Sequence, residues 1–305
     1  MIWIKAGSPG SATLRRREYT RSLTMAYSDM LLHIDSYPNP TTPEAIDDAV
    51  AIASSLGGGL SALAVEIVIP LHSNRIADRL VGLSAIAREE EDKSRLACGE
   101  GLAHFTAKAT EAGIFRETAL GRTHLYDVGD YVAARARTRD LTLLPLIGGL
   151  DGQREVAQSV IFASGRPALF FRAGAAAALA EPGLVVLAWD GGPAAARAMA
   201  DAMPILERAR QVRVLTVLND KPSAVKGHGV DVLRHLQVHG VDAVVDEVDA
   251  DGKGIGAVLE AYVSDHRPAL LVMGAYGHSR FREFLLGGAT EHVLADPPCP
   301  VFFSH

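Results

Sequence analysis

The feature that most constrains this chain is an alternation of short apolar runs with helical patterns, and the alternation occurs twice in the same order. Met30-Leu-Leu-His-Ile34 reads as a strand that ends at Asp35. A loop with Pro38 and Pro40 follows, and then Pro43 to Leu56 reads as a helix. Thr42 stands at its N-cap, Pro43 at its first position and Gly57-Gly-Gly59 at its end. Leu60–Ile69, Thr118–Leu120, Leu141–Leu144 and Ala168–Phe171 read as strands, with helical patterns over residues 75–112 and 127–137. The second half opens with Leu184-Val-Val-Leu-Ala-Trp189, ending at Asp190. An alanine-rich helix through Met203 follows, then strands at Val212–Leu218, Ala243–Val248, Ala269–Met273 and Val301–Phe303. Helices are predicted over Val225–His239, Gly254–Ser264 and Ala289–Ala295. Alternating short strands and helices imply parallel sheets covered on both faces. The chain is therefore predicted to be α/β, as two tandem parallel-sheet sandwiches.

Matching segments support an internal repeat of about 150 residues. Asp35 and Asp190 each end a first strand, and Arg166-Pro-Ala-Leu-Phe-Phe171 resembles Cys299-Pro-Val-Phe-Phe303. The predicted domains span residues 26–174 and 183–305, joined by an alanine-rich linker. Residues 1–25 are predicted to be a disordered extension. Residues 1–24 carry a net charge of +4, which leaves −10 for the rest of a chain whose total is −6. An acidic body argues against non-specific nucleic-acid binding, which needs a basic footprint. No apolar stretch reaches the roughly 18 residues that span a bilayer. Two distant cysteines, Cys98 and Cys299, form no zinc or redox pattern and fit a reduced, cytoplasmic protein.

The chemistry-bearing segment is Val272-Met-Gly274-Ala-Tyr-Gly277, followed by nine residues and then Gly287-Gly288-Ala289-Thr290. Gly274 directly follows a predicted strand, and Gly288 opens a predicted helix. In an open parallel sheet, ligands sit beyond the carboxyl ends of the strands. Glycines there let backbone N–H groups approach phosphate, and a following helix N-terminus adds free donors. Spacing alone leaves open a plain tight turn. His278, Ser279, Arg280 and Arg282 lie inside the segment, and arginine pairs well with phosphate.

The segment resembles the signature of the universal stress protein family, Gly-x2-Gly-x9-Gly-Ser/Thr, with Gly274, Gly277 and Gly287 as its glycines. The closing stretch Ala295-Asp-Pro-Pro-Cys-Pro-Val-Phe-Phe303 is similar to that family's last helix and strand. The resemblance implies the adenine-nucleotide alpha-hydrolase-like, Rossmann-like sandwich, with five strands per domain. It implies ATP as ligand, with Mg2+ as its counter-ion, in a stress-response protein. Asp190 would then lie near the ribose or adenine, Val217 would back the adenine, and Met273 and Gly274 would lie against base and sugar. Gly277, Gly287, Gly288, Ala289 and Thr290 would hold the phosphates. The family places Ser or Thr after the third glycine, and Gly288 stands there instead. Loss of that hydroxyl donor weakens phosphate binding about ten- to a hundredfold.

In the first copy, Leu143-Leu-Pro145-Leu-Ile-Gly148-Gly149-Leu-Asp-Gly152 keeps the first glycine spacing but meets Phe162 where the third glycine would stand. Pro145 also removes a backbone donor. That copy is predicted to be a structural partner without nucleotide. The resemblance further implies that the copies pair face to face within one chain, with a homodimer through the closing strands as a further association. His235 and His239 share a helix face at metal-ligand spacing, but no third ligand accompanies them, so no metal site is assigned. There is no nucleophile elbow and no Walker lysine loop, so no catalytic residue is assigned. The alternatives are a nucleotide-free interaction scaffold and a slow ATP hydrolase with Asp190 holding a metal.

Overall fold

The structure, a computed structural model, describes residues 27–70, 83–147, 153–219, 229–275 and 288–305. Domain 1 contains β1 (Asp29–Ile34), α1 (Pro43–Leu56), β2 (Gly59–Val68), α2 (Leu83–Glu111) and β3 (Phe115–His124). It continues through a 3-10 turn into α3 (Val128–Ala136), β4 (Leu141–Pro145), α4 (Arg154–Ala163) and β5 (Ala168–Phe171). A short α5 (Ala176–Ala180) leads to domain 2. There follow β6 (Leu184–Ala188), α6 (Pro193–Leu206), β7 (Gln211–Leu218), α7 (Gly229–Val238) and β8 (Ala243–Asp249). The chain ends with α8 (Ile255–His266), β9 (Leu270–Gly274), α9 (Gly288–Ala295) and β10 (Val301–Ser304).

Local chemistry explains the elements that the sequence marks best. The Thr42 hydroxyl accepts from the Ala45 N–H at 3.3 Å, satisfying one of the free donors at the start of α1. Gly57 ends that helix in the left-handed region at φ 80°, where a side chain would be strained. Two elements depart from expectation. β3 is ten residues long where a short strand was predicted, because an edge strand need not be apolar. Helix α4 was expected from the repeat but given no bounds, although Val156, Ala157, Val160 and Ile161 give it a buried face.

All ten strands form one sheet in the order β3-β2-β1-β4-β5-β10-β9-β6-β7-β8. Each half has five strands in the same relative order, and every pair within a half is parallel. The halves join through the antiparallel pair β5–β10, with Phe170 opposite Val301 and Ala168 opposite Phe303. This corrects the expectation of face-to-face pairing. The closing strands carry phenylalanines on both faces and seal edge to edge, so their ladder groups are satisfied within the chain. Partnered in this way, they are not open edges for a homodimer.

Side chains across the seam continue the core on both faces of the sheet. Phe170 and Phe303 meet edge to face, with centroids 5.6 Å apart. Phe171 and Phe302 lie in the core on the other face. Burying each such ring contributes about 1.5–3 kcal/mol. Arg172 pairs with Asp296 at 2.6 Å, Arg154 pairs with Glu291, and the Tyr27 hydroxyl donates to the Asp201 carbonyl at 2.5 Å.

Candidate functional site

In domain 2 the chain order reverses at β6, which is flanked by β7 on one side and β9 on the other. Such a switch point opens a crevice at the carboxyl ends of the strands. Asp190 follows β6 there. Its carboxylate accepts from the Gly192 N–H at 2.8 Å, which fixes the turn into α6. Gly191 takes a left-handed φ of 76° in that turn. Asp190 itself is exposed.

Ala188 sits beside Met273 on β9 and beside Leu215 on β7, so the ends of all three strands share one floor. Met273 is buried, and Val217 is half-buried against the same core. Gly274 ends β9 with no room for a side chain. A Cβ there would lie 2.4 Å from the Ala194 carbonyl carbon and 2.5 Å from the Ala195 nitrogen, in the first turn of α6. Its lack of a side chain thus holds α6 close to the strand end.

Gly288 opens α9, and a Cβ there would meet nothing within 4 Å. Ala289 is half-buried, whereas Thr290 is buried at 3% exposure. Gly277 and Gly287 lie outside the described residues, as do His278, Ser279, Arg280 and Arg282. Asp190, Val217, Met273 and Gly274 therefore gather at one crevice, with Gly288, Ala289 and Thr290 in the first turn of the last helix.

The equivalent place in domain 1 is built differently. Asp35 follows β1 but is buried, and its carboxylate accepts from the Gln153 side-chain amide. The same amide donates to the Pro145 carbonyl at 2.9 Å, while the Gln153 carbonyl oxygen accepts from the Ile147 N–H at 2.9 Å. Gln153 thereby stitches the β4 end to the β1 end. His33, one strand face below Asp35, is buried, and its Nδ1 lies 3.5 Å from the Asp35 Oδ1. Burial pushes the Asp35 carboxyl up from its usual range and pushes the His33 imidazole down. Sequence reasoning assigned this end of domain 1 no ligand and did not single out His33 or Gln153.

Other candidates resolve simply. The His235 and His239 rings meet tilted on α7, with centroids 4.8 Å apart, and among the described residues no group of three or more metal-ligating side chains occurs. Both cysteines are free, and burial pushes the Cys299 thiol up to about 12. No helix among the described residues is long and apolar enough to cross a membrane.

Fold and crevice define a tandem, doubly wound α/β protein. Residues 183–305 match the model of the universal stress protein family. The match covers the second five-stranded half, from the residue before β6 to the residue after β10. A universal stress protein from Archaeoglobus fulgidus superposes with TM-score 0.65 at 15% identity, over 92% of this chain and 97% of that one. A putative universal stress protein from Pseudomonas aeruginosa UCBPP-PA14 gives 0.52 at 14% identity, over 92% and 94%. A functionally unknown protein from Pseudomonas aeruginosa PAO1 gives 0.53 at 13% identity, over 92% and 93%. These likenesses extend the fold over both halves. No curated protein matches the chain.

Proposed function

We propose that domain 2 binds an adenine nucleotide, ATP with Mg2+, and that the chain acts in the cytoplasm as a regulatory or protective protein of the stress response. The observation that supports this reading is Gly274, the first glycine of the signature, at the end of β9 beside the switch point. Gly274 ends β9 against the first turn of α6, beside the strand that delivers Asp190. Ala188, Met273 and Val217 form an apolar floor suited to a base, and Asp190 is suited to a sugar hydroxyl. Gly277, Gly287 and the start of α9 would supply backbone donors to the phosphates. Mg2+ would neutralise phosphate charge in the bound nucleotide. The activity proposed is binding of the nucleotide rather than its turnover.

One observation favours the scaffold reading instead. Gly288 offers no hydroxyl, and Thr290 is buried. Calorimetric titration with ATP and Mg2+ separates the two. Binding at a hundred times the Kd stabilises the fold by about 2.7 kcal/mol, and Gly277→Val should abolish it. No heat and no thermal shift at millimolar ATP sinks the nucleotide reading. Hydrolysis that is lost in Asp190→Ala would favour the hydrolase reading.

A further inference from the structure

Domain 1 holds a cleft of about 50 Å³ at the carboxyl ends of β1 and β2. Its lining is mixed, with Val65, Ile67, Leu125 and Val128 as apolar walls and His33, Asp35 and Ser36 among the polar ones. Among its lining residues there is no lysine or arginine, and Glu155 adds a second carboxylate. Gln153 already occupies one Asp35 oxygen and the Pro145 carbonyl, which closes the side toward β4.

Two features inside this cleft lack what they need. His33 Nδ1 is buried with no hydrogen-bond partner, on a side chain 2% exposed. The second Asp35 oxygen stands 3.5 Å from that nitrogen, beyond a good hydrogen bond, and among the described lining residues no lysine or arginine balances the carboxylate. A buried, unpaired polar atom is costly and calls for a partner. Domain 2 has Ala188 at the position of His33, counted back from Asp190 as His33 is from Asp35, so this pair belongs to domain 1 alone.

We propose that this cleft binds a small organic ammonium ion, with its N–H groups donating to Asp35 Oδ1 and His33 Nδ1 and its carbon body lying against Val65, Ile67, Leu125 and Val128. The ammonium supplies the counter-charge that Asp35 lacks and two of the donors that the pair can accept. His33 accepts as the neutral tautomer with its proton on Nε2. The volume has room for roughly four water-sized groups at 10–15 Å³ each, which matches a primary amine of three or four carbons. A phosphate is disfavoured by the two carboxylates, so this ligand class differs from that proposed for domain 2.

The test uses the full chain and four probes of one size: n-butylamine, 1,4-diaminobutane, n-butanol and butyrate. Binding is read by calorimetry and by the His33 ring resonances in 1H–15N spectra. Butylammonium should bind and shift the His33 signals, while butyrate should do neither. Losing a charge-assisted hydrogen bond costs about ten- to a hundredfold in affinity, the loss expected for Asp35→Asn. His33→Ala, which copies domain 2, should also weaken the amine while leaving the fold intact. The proposal is overturned if neither amine binds at 10 mM, roughly the weak limit for a charge-assisted contact, since His33 would then face ordered water only. It is equally overturned if butanol binds as well as butylamine, or if Asp35→Asn keeps full affinity. ATP displacing the amine and moving the His33 signals would make the cleft a nucleotide site and refute the assignment. ATP failing to bind anywhere would leave the amine result untouched and would bear only on domain 2.

Discussion

Gly274 and Gly288 both belong to the glycine signature, yet the structure separates their roles. Replacing Gly274 by alanine puts a Cβ 2.4 Å from the Ala194 carbonyl carbon, where ordinary contact begins at 3.4 Å, so α6 must retreat by about 1 Å. The obstructing atoms are backbone in the first turn of a helix, so no side chain can rotate away. Overpacking of this kind costs about 1–3 kcal/mol, and rigid backbone on both sides places Gly274→Ala toward the upper end. At about 1.4 kcal/mol per factor of ten, the ratio of folded to unfolded chain falls roughly thirty- to a hundredfold. Gly288→Ala is the control. Its Cβ meets nothing within 4 Å, and alanine at a helical position is worth about 0.4–1 kcal/mol of added stability. Urea denaturation followed by far-UV circular dichroism gives both values. A Gly274→Ala midpoint within error of the natural chain would refute the packing argument. So would a Gly288→Ala loss as large as that of Gly274→Ala.

Three further outcomes follow from the geometry. Burial raises the Asp35 carboxyl above its unfolded value of 3.8, so the stability it contributes is present below that pH and lost as pH rises through the folded value. With His33 and Glu155 beside it, Asp35→Asn should therefore stabilise the chain at pH 7 relative to pH 4; a constant difference in urea midpoints across that range would show that the carboxyl is not penalised. Phe303→Ala removes a fully buried ring from the seam and should cost about 3–5 kcal/mol, with both halves losing stability together in calorimetry; a loss confined to domain 2 would mean that the seam does not couple them. Thr42→Ala removes the cap of α1 and should cost about 1 kcal/mol, which denaturation can resolve.

Much of the fold was legible because local chemistry and tertiary structure agree. Helix α1 was read end to end, since its cap, its leading proline and its terminal glycine are all sequence-local. Strand β3 was read too short, because its exposed sequence Phe-Arg-Glu-Thr-Ala-Leu-Gly-Arg-Thr-His carries little apolar signal. The bounds of helix α4 were not legible because it has no side-chain cap, Gln153 being turned instead toward Asp35, 118 residues away. That contact also explains why the domain 1 cleft was invisible. Whether a polar residue finds a partner is decided by residues distant in sequence, and His33 lacks one only because of how β1 and β2 pack. The direction of pairing between the halves was likewise illegible. Phenylalanine runs mark closing strands but do not say whether two sheets stack or extend one another.

The seam also fixes how the two crevices relate. Strands are parallel within each half and antiparallel across β5–β10, so the carboxyl ends of the two halves face opposite edges of the sheet. One ligand therefore cannot bridge both. Communication between them has a short physical route, because β9 and β4, whose ends Gly274 and Pro145 mark, are the strands next to the seam. Gly274 pairs in register with Ser304 on β10, and Pro145 pairs with Phe171 on β5. Between those positions lies a pair of four-residue strands packed with buried phenylalanine on both faces. Close-packed rings of this kind do not deform continuously, so a ligand in one half changes affinity in the other only if it shifts β5 against β10. Without such a shift the binding free energies add, because coupling requires a two-state element that both sites bias. Titrating one ligand with the other present distinguishes these cases: unchanged affinities mean a rigid seam, and reciprocal changes of equal factor mean that the seam moves.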